Sequence, residues 1–397
     1  MSHVSRHPAS FLFMNLGHAY CHLFMLIFPT AVLAMTVDFT GDYSDLLPLS
    51  VWGFVAFGAG ALPAGWLGDR WSREGMMALF FLGMGTAAVL TSFATTPIAL
   101  ATGLFLIGLF ASIYHPVGIA LVADRARSTG KALGLNGVFG NLGVALAAAL
   151  TGVLADRYGW RAAFWAPGVA SMLTGLVYLM FGCGNAPEEP ETTPQADTEA
   201  AQLRLDQRRV FAVLIATTLF GGVIFHATTI GLPKIMDDRL PALAASTAEV
   251  GLYVSAVFAV AAVAQIVVGH LLDRYPLRPV FLAVAGLQVP VMLLAASAGN
   301  ATMLLLATAM MLLVFGQIPI SDTIVARYAA RAWRSRVYAV KYLLSLGVSA
   351  SVVPMLAWIR GETGGFLALF LMMALCAALV TTAAAALPRA GKTPQLA

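Results

Sequence analysis

The chain has 397 residues, of which 59% are hydrophobic and only 11% are charged, with a formal net charge of +4. Soluble domains average about 25% charged residues, so this composition excludes an ordinary soluble globular protein. A net charge this small is better explained by membrane topology than by a nucleic-acid partner, and we expect none.

Twelve hydrophobic segments, each about 20 residues long or longer, recur along the chain. In chain order they are residues 11–35, 46–68, 76–94, 98–122, 131–155, 162–182, 210–235, 247–271, 280–298, 301–325, 336–358 and 365–387. Backbone groups in lipid must be hydrogen-bonded within the protein, and segments of this length meet that need as helices. We therefore predict an all-α membrane protein of twelve transmembrane helices, with the lipid bilayer as its surroundings.

The basic residues predict how these helices are oriented. With both termini in the cytoplasm, only five of the 23 Lys and Arg residues fall on the outer side, and Lys341 lies within a segment. The five outer residues are Arg157, Arg161, Lys234, Arg239 and Arg360. Such an excess of positive charge on one side is typical of cytoplasmic loops. We expect a multi-pass monomer in the bacterial cytoplasmic (inner) membrane.

The chain divides into two halves of six segments each. Residues 185–202 read "NAPEEPETTPQADTEAAQ", a polar, proline-rich stretch that is typical of a flexible linker. We predict an N-terminal six-helix bundle (1–184), a cytoplasmic linker (185–209) and a C-terminal six-helix bundle (210–397).

A charged turn occurs once in each half, 204 positions apart. Gly65–Glu74 reads "GWLGDRWSRE" and Gly269–Arg278 reads "GHLLDRYPLR", both G-x-L-x-D-R followed by an aromatic residue. At the same shift His22 matches His226, which indicates an internal duplication. Two parallel copies of six helices suit a rocking transporter with its site at the midplane between the halves.

These features together resemble the major facilitator superfamily. The stretch "GVLADRYGWRAAFW" (152–165) is similar to that family's junction between the fifth and sixth helices. Within the family, "ASIYHPVGIALVADRARSTGKALGLNGVFGNLG" (111–143) and "GHAYCHLF" (17–24) resemble the branch that includes fosmidomycin-resistance exporters. The resemblance implies the twelve-helix facilitator fold and a transport function.

The repeated turn carries the residues that we expect to control gating. A carboxylate there can pair with an arginine of a neighbouring loop and hold the cytoplasmic face shut until the contact breaks. Candidate partners are Arg125 and Arg127 for Asp69. For Asp273 they are Arg331, Arg334 and Arg336. The alternative is that both turns are static topology signals. The predicted gating residues are Gly65, Asp69, Arg70, Arg73, Arg127, Gly269, Asp273, Arg274 and Arg278.

Polar side chains within the segments are the candidates for substrate contact, because each is expensive to place in lipid. In the resembled fold, segments 1, 4, 7 and 10 line a central cavity, which would hold most of them. The predicted substrate-binding residues are His18, His22, Tyr114, His115, Asn136, Asn141, His226, Gln317 and Lys341. Pro116, which follows His115, predicts a kink in segment 4.

The histidines allow several interpretations. His18 and His22 lie four residues apart on one helix face, and histidine changes its charge near about pH 6.5. The proton-coupling candidates are His22, His226 and Asp322. The histidines can instead donate hydrogen bonds to substrate, or be structural groups bonded to backbone carbonyls. A metal site is a further alternative, but no carboxylate lies at a ligand spacing, so we predict no metal ion.

Asp322 and Lys341 lie at matching depths in segments 10 and 11. A lone lysine at that depth costs about 2.5–3.5 kcal/mol on insertion scales, and a neighbouring carboxylate would offset part of this. The functional interpretation is a charge pair that substrate or a proton can break. The alternative is a lysine that extends to the cytoplasmic surface.

Motifs for catalysis are missing: there is no G-x-S-x-G, Walker loop, C-x-x-C or H-E-x-x-H. The sequence therefore predicts no enzyme and no cofactor, but a secondary active transporter of a small organic solute that works by rocker-switch alternating access. The exporter resemblance favours proton-coupled efflux of a drug-like or anionic compound. The alternative is proton-coupled uptake, or facilitated transport, of a small organic anion. Antiport loses support at Leu104, where many proton-driven exporters of the family carry an arginine.

Overall fold

A computed structural model describes residues 8–125, 129–181, 203–328 and 331–388. The regular elements in these ranges are helices. From the first half they are α1 (Pro8–Met35), α2 (Tyr43–Leu46), a 3-10 turn (Leu47–Ser50), α3 (Val51–Arg70), α4 (Arg73–Thr91), α5 (Pro97–Ala111), a π-helical turn (Tyr114–Gly118), α6 (Ile119–Arg125), α7 (Thr129–Tyr158) and α8 (Ala162–Phe181). From the second half they are α9 (Leu203–Arg239), α10 (Thr247–Arg274), α11 (Leu277–Ala295), α12 (Asn300–Tyr328), α13 (Arg331–Thr363) and α14 (Leu367–Ala385).

The helices match the predicted membrane segments. Among the described residues, eleven helical stretches are long and apolar enough to cross a membrane. They coincide with eleven of the predicted segments, and the remaining segment, 336–358, lies within the 33-residue helix α13. The predicted all-α membrane fold is confirmed.

Segment 4 is interrupted where the sequence predicts a kink. Helix α5 ends at Ala111, the π-helical turn follows, and α6 begins at Ile119. Pro116 lies inside that turn and has no N–H to donate, so one backbone hydrogen bond of a regular helix is missing there. Such π-helical turns occur frequently at functional sites. The interruption presents Tyr114 and His115 from irregular backbone.

Small residues bring neighbouring helices close together. Helix α1 packs on α7, α4 on α8, and α3 on α5, whereas α11 packs on α12 and α14. At Gly143 in α7, an added Cβ would lie 2.1 Å from the carbonyl oxygen of Ala19 in α1. Close packing of this kind, mediated by small residues, is a main source of helix association in lipid. It fixes the polar face of α1 against α7.

The described residues form two compact units. One contains the described part of residues 1–188 together with 232–259 and 353–357. The other contains the described part of 189–231 with 260–352 and 358–397. The boundary therefore crosses α9, α10 and α13. The division into two six-helix halves with a linker at 185–209 stays a prediction, and residues 182–202 lie outside the described ranges.

Candidate functional site

Three histidines lie together in the first unit. His18 and His22 are one turn apart on α1, and their Nε2 atoms are 3.2 Å from each other. His115, from the π-helical turn, places its ring centroid 5.5 Å from that of His18 and 5.6 Å from that of His22. One ligand-type nitrogen from each ring lies within 4.8 Å of the others. We call these three residues the histidine cluster.

A buried hydrogen-bond network supports the histidine cluster. Asn136 of α7 donates from Nδ2 to the Tyr114 hydroxyl at 2.7 Å and to Asn15 Oδ1 at 3.0 Å. The Tyr114 hydroxyl in turn donates to the carbonyl of Met14 at 2.8 Å. His18 donates from Nδ1 to the backbone carbonyl of Asn136 at 2.8 Å. These bonds satisfy polar groups that would be costly to bury alone.

The ring of His18 is also held by packing. It stacks on Tyr114 with ring centroids 4.9 Å apart. On its other side lies Gly140 of α7, where an added Cβ would come within 2.7 Å of His18 Nε2. Glycine at this position therefore makes room for the imidazole.

The structure thus brings together five of the predicted substrate-binding residues: His18, His22, Tyr114, His115 and Asn136. Asn15 belongs to the same network and was not among the predicted site residues. The sequence could have indicated Asn15 by its position, because it lies three residues before His18 and seven before His22, and this spacing places all three on one helix face. Asn141 lies one turn further along α7 than Asn136 and is half-buried.

The second unit holds a different set of polar groups. His226 of α9 lies 3.4 Å from the hydroxyl of Ser345 in α13. The side-chain oxygen of Gln317 in α12 accepts a hydrogen bond of 2.9 Å from the buried Gln288 of α11. Gln288 was not among the predicted site residues, although Pro290 lies two residues further along α11.

Lys341 and Asp322 pair directly, as their matching depths predict. The Lys341 ammonium donates to Asp322 Oδ1 at 2.5 Å, which joins α13 to α12. The lysine side chain is only 14% exposed, whereas the aspartate side chain is 46% exposed. The carboxylate is therefore the accessible member of the pair. We call these two residues the lysine–aspartate pair.

The charged turn of the first half has three described ion pairs, and their partners differ from the expected ones. Arg73 bridges Asp69, at 2.7 Å, and Asp124 at the end of α6. Arg125 donates to Glu74 at 2.5 Å. The described partner of Asp69 is Arg73. Arg73 follows Asp69 by only four residues, across the short turn between the end of α3 and the start of α4, and so lies within reach of it. Arg127, the other expected partner, lies outside the described residues.

The remaining predicted residues of this turn also have neighbours. The guanidinium of Arg70 lies over the Trp66 ring, 4.7 Å from its centroid. An added Cβ at Gly65 would lie 3.2 Å from Pro116 Cβ in the π-helical turn. Glu74 and Asp124 were missed as partners, although "ADR" at 123–125 repeats the Asp-Arg step of the turn itself.

In the matching turn of the second half the Asp-Arg step is exposed, as it is in the first half. Asp273 and Arg274 are exposed, and among the described side chains no ion pair involves Asp273. An added Cβ at Gly269 would meet no described atom within 4 Å. Arg278 is half-buried. The side chains of the expected partners Arg331, Arg334 and Arg336 are outside the described set.

Another ion pair of the first half involves the loop that follows α1. Asp38 accepts a hydrogen bond of 2.8 Å from Trp160 Nε1 and pairs with Arg161. These two donors hold the pKa of the Asp38 carboxyl below its ordinary value. The contact joins the end of α1 to the start of α8.

The sequence model of the Major Facilitator Superfamily matches residues 16–242, which is more than half of the chain. The chain belongs to the Major Facilitator Superfamily. Membership makes it a membrane transport protein, as the sequence predicts, and not an enzyme.

Two curated relatives from Pseudomonas putida match parts of this superfamily member. One, the 4-hydroxybenzoate transporter PcaK, is 25% identical over 277 residues, which are 61% of this chain and 61% of the relative. The other, a gallate transporter, is 24% identical over 259 residues, or 57% of each chain. The chain therefore spans about three fifths of the length of the curated relatives that it matches.

Solved structures share the fold over nearly the whole chain. A bacterial homologue of the human lysosomal transporter Spinster, in an inward-facing and unoccupied conformation, aligns with a TM-score of 0.75 and 15% identity over 98% of both chains. A D-xylose–proton symporter aligns with a TM-score of 0.73 and 14% identity over 94% of this chain and 96% of the symporter. At these identities the likeness concerns the fold alone.

Proposed function

We propose that this superfamily member carries a small organic anion across the membrane together with protons, and that aromatic carboxylates are its substrate class. The lysine–aspartate pair carries the proposal. The Lys341 ammonium is largely buried and its carboxylate partner is half-exposed, so an anion that reaches Asp322 also reaches the lysine.

Anion binding follows from the charges of the pair. A buried ammonium needs a counter-charge, which Asp322 supplies at 2.5 Å. A carboxylate or phosphonate of the substrate supplies the same charge, so it can replace Asp322 on the lysine. The names of the two curated relatives, which refer to 4-hydroxybenzoate and gallate, support an aromatic carboxylate over other anions.

Proton coupling follows from the same exchange. When the substrate anion occupies Lys341, the Asp322 carboxylate loses its counter-charge, and this favours its protonated form. Anion and proton are then bound at the same time and move in the same direction. This is symport, the uptake alternative of the sequence prediction. His22 and His226 remain further candidates for carrying protons, and Tyr114, Asn136 and Gln317 for bonding substrate hydroxyls.

The test is transport by the purified protein in liposomes with an acidic exterior. We expect labelled 4-hydroxybenzoate or gallate to accumulate inside, and fosmidomycin to accumulate less. Lys341→Gln should lower the transport rate about 100-fold, because the anion loses a buried charged partner. The matched control is Lys234→Gln, since the partners of Lys234 are Asp237 and Asp238 on the same helix. That variant should transport at the normal rate.

Two results would contradict the proposal. Normal transport by Lys341→Gln would remove the lysine from the substrate site. Accumulation that requires an acidic interior and an alkaline exterior would establish antiport. Proton-coupled efflux is the second candidate, favoured by the resemblance of residues 111–143 to fosmidomycin-resistance exporters. If efflux is the function, we expect fosmidomycin to be a better substrate than 4-hydroxybenzoate or gallate.

Gating by the charged turns remains part of the proposal. The Arg73 bridge between Asp69 and Asp124 joins the start of α4 to the end of α6. We expect this bridge, rather than a contact of Asp69 with Arg125 or Arg127, to control opening at the cytoplasmic side. In the second half Asp273, Arg274 and Arg278 are expected to act in the same way, with Arg331, Arg334 and Arg336 at the start of α13 as the partners of Asp273.

Topology and assembly are proposed as the sequence predicts them. The chain is a multi-pass membrane protein by its family and its apolar helices. We propose a monomer in the bacterial cytoplasmic membrane, with both termini in the cytoplasm, because the outer loops hold few basic residues. Labelling of single cysteines placed in the 185–202 linker, with a reagent that cannot cross membranes, should fail in intact cells and succeed after lysis.

A further inference from the structure

We propose that the histidine cluster binds a divalent transition-metal ion of the zinc class. Zn–N bonds of about 2.0–2.1 Å in a tetrahedral site put two ligand nitrogens about 3.3 Å apart. The Nε2 atoms of His18 and His22 are 3.2 Å apart. The ligand nitrogens of all three histidines lie within 4.8 Å of one another, so small ring rotations bring the third into the shell.

The hydrogen bonds around His18 prepare it as a ligand. Its Nδ1 donates to the carbonyl of Asn136 at 2.8 Å, which leaves the lone pair on Nε2, the atom that faces His22. Histidines that bind metals usually donate their other N–H to a carbonyl or carboxylate in this way. Stacking on Tyr114 and packing against Gly140 hold the ring in that orientation.

The backbone supplies the three ligands from two elements. His18 and His22 come from consecutive turns of one helix face of α1, the i, i+4 spacing that zinc-binding helices use. His115 comes from the π-helical turn that Pro116 imposes. A bound ion would therefore tie α1 to the turn between α5 and α6.

The ligand set selects the class of ion. Three imidazoles suit Zn²⁺, Cu²⁺ and Ni²⁺, whereas Mg²⁺ and Ca²⁺ need oxygen ligands that the cluster does not supply. Three protein ligands leave a fourth position for water or a small anion, as in zinc sites that are not purely structural. The sequence alone argued against a metal because no carboxylate lies at a ligand spacing. The fold instead supplies a third histidine, His115, which follows His22 by 93 positions in the chain.

The experiment uses the full-length protein, purified in detergent without a histidine tag and freed of metal with a chelator. Zn²⁺ is titrated by calorimetry, and Co²⁺ is added as a visible probe of coordination geometry. We expect one ion per chain and the intense absorption of tetrahedral Co²⁺. His18→Gln, His22→Gln and His115→Gln should each weaken Zn²⁺ binding by about tenfold or more.

Four other histidines provide controls. His226 is half-buried in the second unit and His270 is exposed on α10, and His226→Gln and His270→Gln should each bind Zn²⁺ as the unaltered protein does. A variant with both His3 and His7 changed to Gln tests for adventitious binding near the N-terminus, and it too should bind normally.

Three outcomes would overturn the proposal. The first is a lack of saturable Zn²⁺ binding to the unaltered protein. The second is Co²⁺ bound without a tetrahedral spectrum, which decides the matter even when no cluster variant folds. The third is normal binding by folded cluster variants, which would leave His18 and His22 as a hydrogen-bonded pair. Because transport plays no part in these readouts, their failure is separate from failure of the proposed anion transport.

Discussion

The two units carry different polar sites. Most positions that match across the predicted sequence repeat hold different residues there. The shift of 204 residues places all but one of the counterparts of the histidine cluster, and both counterparts of the lysine–aspartate pair, on residues that cannot do the same chemistry. Counterparts of His18, His115 and Asn136 are Gly222, Pro319 and Val340, and those of Asp322 and Lys341 are Gly118 and Gly137. The repeat therefore preserves the helices but not the chemistry of the membrane interior.

One polar position is shared, and even there the neighbours differ. His22 and His226 occupy matching positions, but His22 faces another histidine while His226 faces the hydroxyl of Ser345. Ser345 itself matches Asn141. This comparison teaches that the two halves of the predicted repeat can keep one histidine position and still give it different hydrogen-bond neighbours.

We expect the largest effect from a change that tests whether the lysine–aspartate pair, rather than the histidine cluster, couples transport to protons. Asp322→Asn keeps the shape of the side chain and removes its proton site. With one proton per monovalent anion and a gradient of two pH units, accumulation should fall from as much as about 100-fold to none. Exchange of labelled for unlabelled substrate, which needs no net proton movement, should continue. Proteoliposome accumulation and counterflow assays measure the two activities.

His22→Gln is the matching change in the first unit. If the lysine–aspartate pair alone couples protons, this variant should still accumulate substrate in the same gradient. Accumulation that survives Asp322→Asn and disappears in His22→Gln would transfer coupling to the histidine cluster and reverse the assignment.

The sequence predicted the helices well because lipid permits few alternatives. Every backbone group within the bilayer must be satisfied internally, so a run of about 20 apolar residues is read as a helix with little ambiguity. The kink at Pro116 was equally predictable, because proline removes a hydrogen bond wherever it falls in a helix. The pairing of Lys341 with Asp322 followed from their depth, since antiparallel neighbours bring residues of equal depth together.

The rest of the site depends on contacts that spacing cannot reveal. His115 joins His18 and His22 only because α1 packs beside the interrupted segment 4. The contacts of the charged turn depend on packing as well: among the described side chains Arg73 pairs with Asp69 and Arg125 pairs with Glu74, whereas the sequence suggested Arg125 or Arg127 at Asp69. Local charge pairs within one or two turns of chain compete with distant ones, and the sequence alone does not rank them.

The charged turns provide a comparison with a smaller expected effect. Asp69 and Asp273 match in the repeat, but Asp69 is held by Arg73, which also reaches Asp124. The counterparts of Glu74 and Asp124 are Arg278 and Tyr328, so the second turn lacks both of these acids. An exposed ion pair contributes about 0.2–1 kcal/mol, so Asp69→Asn should slow turnover about threefold with little change in KM.

Asp273→Asn is the control for this change and should affect turnover less than Asp69→Asn does. Initial rates over a range of substrate concentrations separate turnover from KM. Lost binding with unchanged turnover in Asp69→Asn would contradict a role in opening. Equal slowing by both variants would mean that the arginines at the start of α13 supply a bridge of equal strength in the second half.

The smallest effect concerns the glycines that begin the two turns. In Gly65→Ala the new Cβ would lie 3.2 Å from Pro116 Cβ, so α3 or the π-helical turn has to shift by a few tenths of an ångström, and we expect the proline ring to resist this shift. Overpacking of this kind costs about 1–3 kcal/mol. In Gly269→Ala the new Cβ meets no described atom within 4 Å, and alanine in place of glycine stabilises a helix by about 0.5–1 kcal/mol. Thermal unfolding in detergent should therefore shift downward for Gly65→Ala and upward for Gly269→Ala. A downward shift of the same size at both positions would mean that α10 packs at Gly269 as tightly as α3 does at Gly65, and the two turns would then differ in their ion pairs alone.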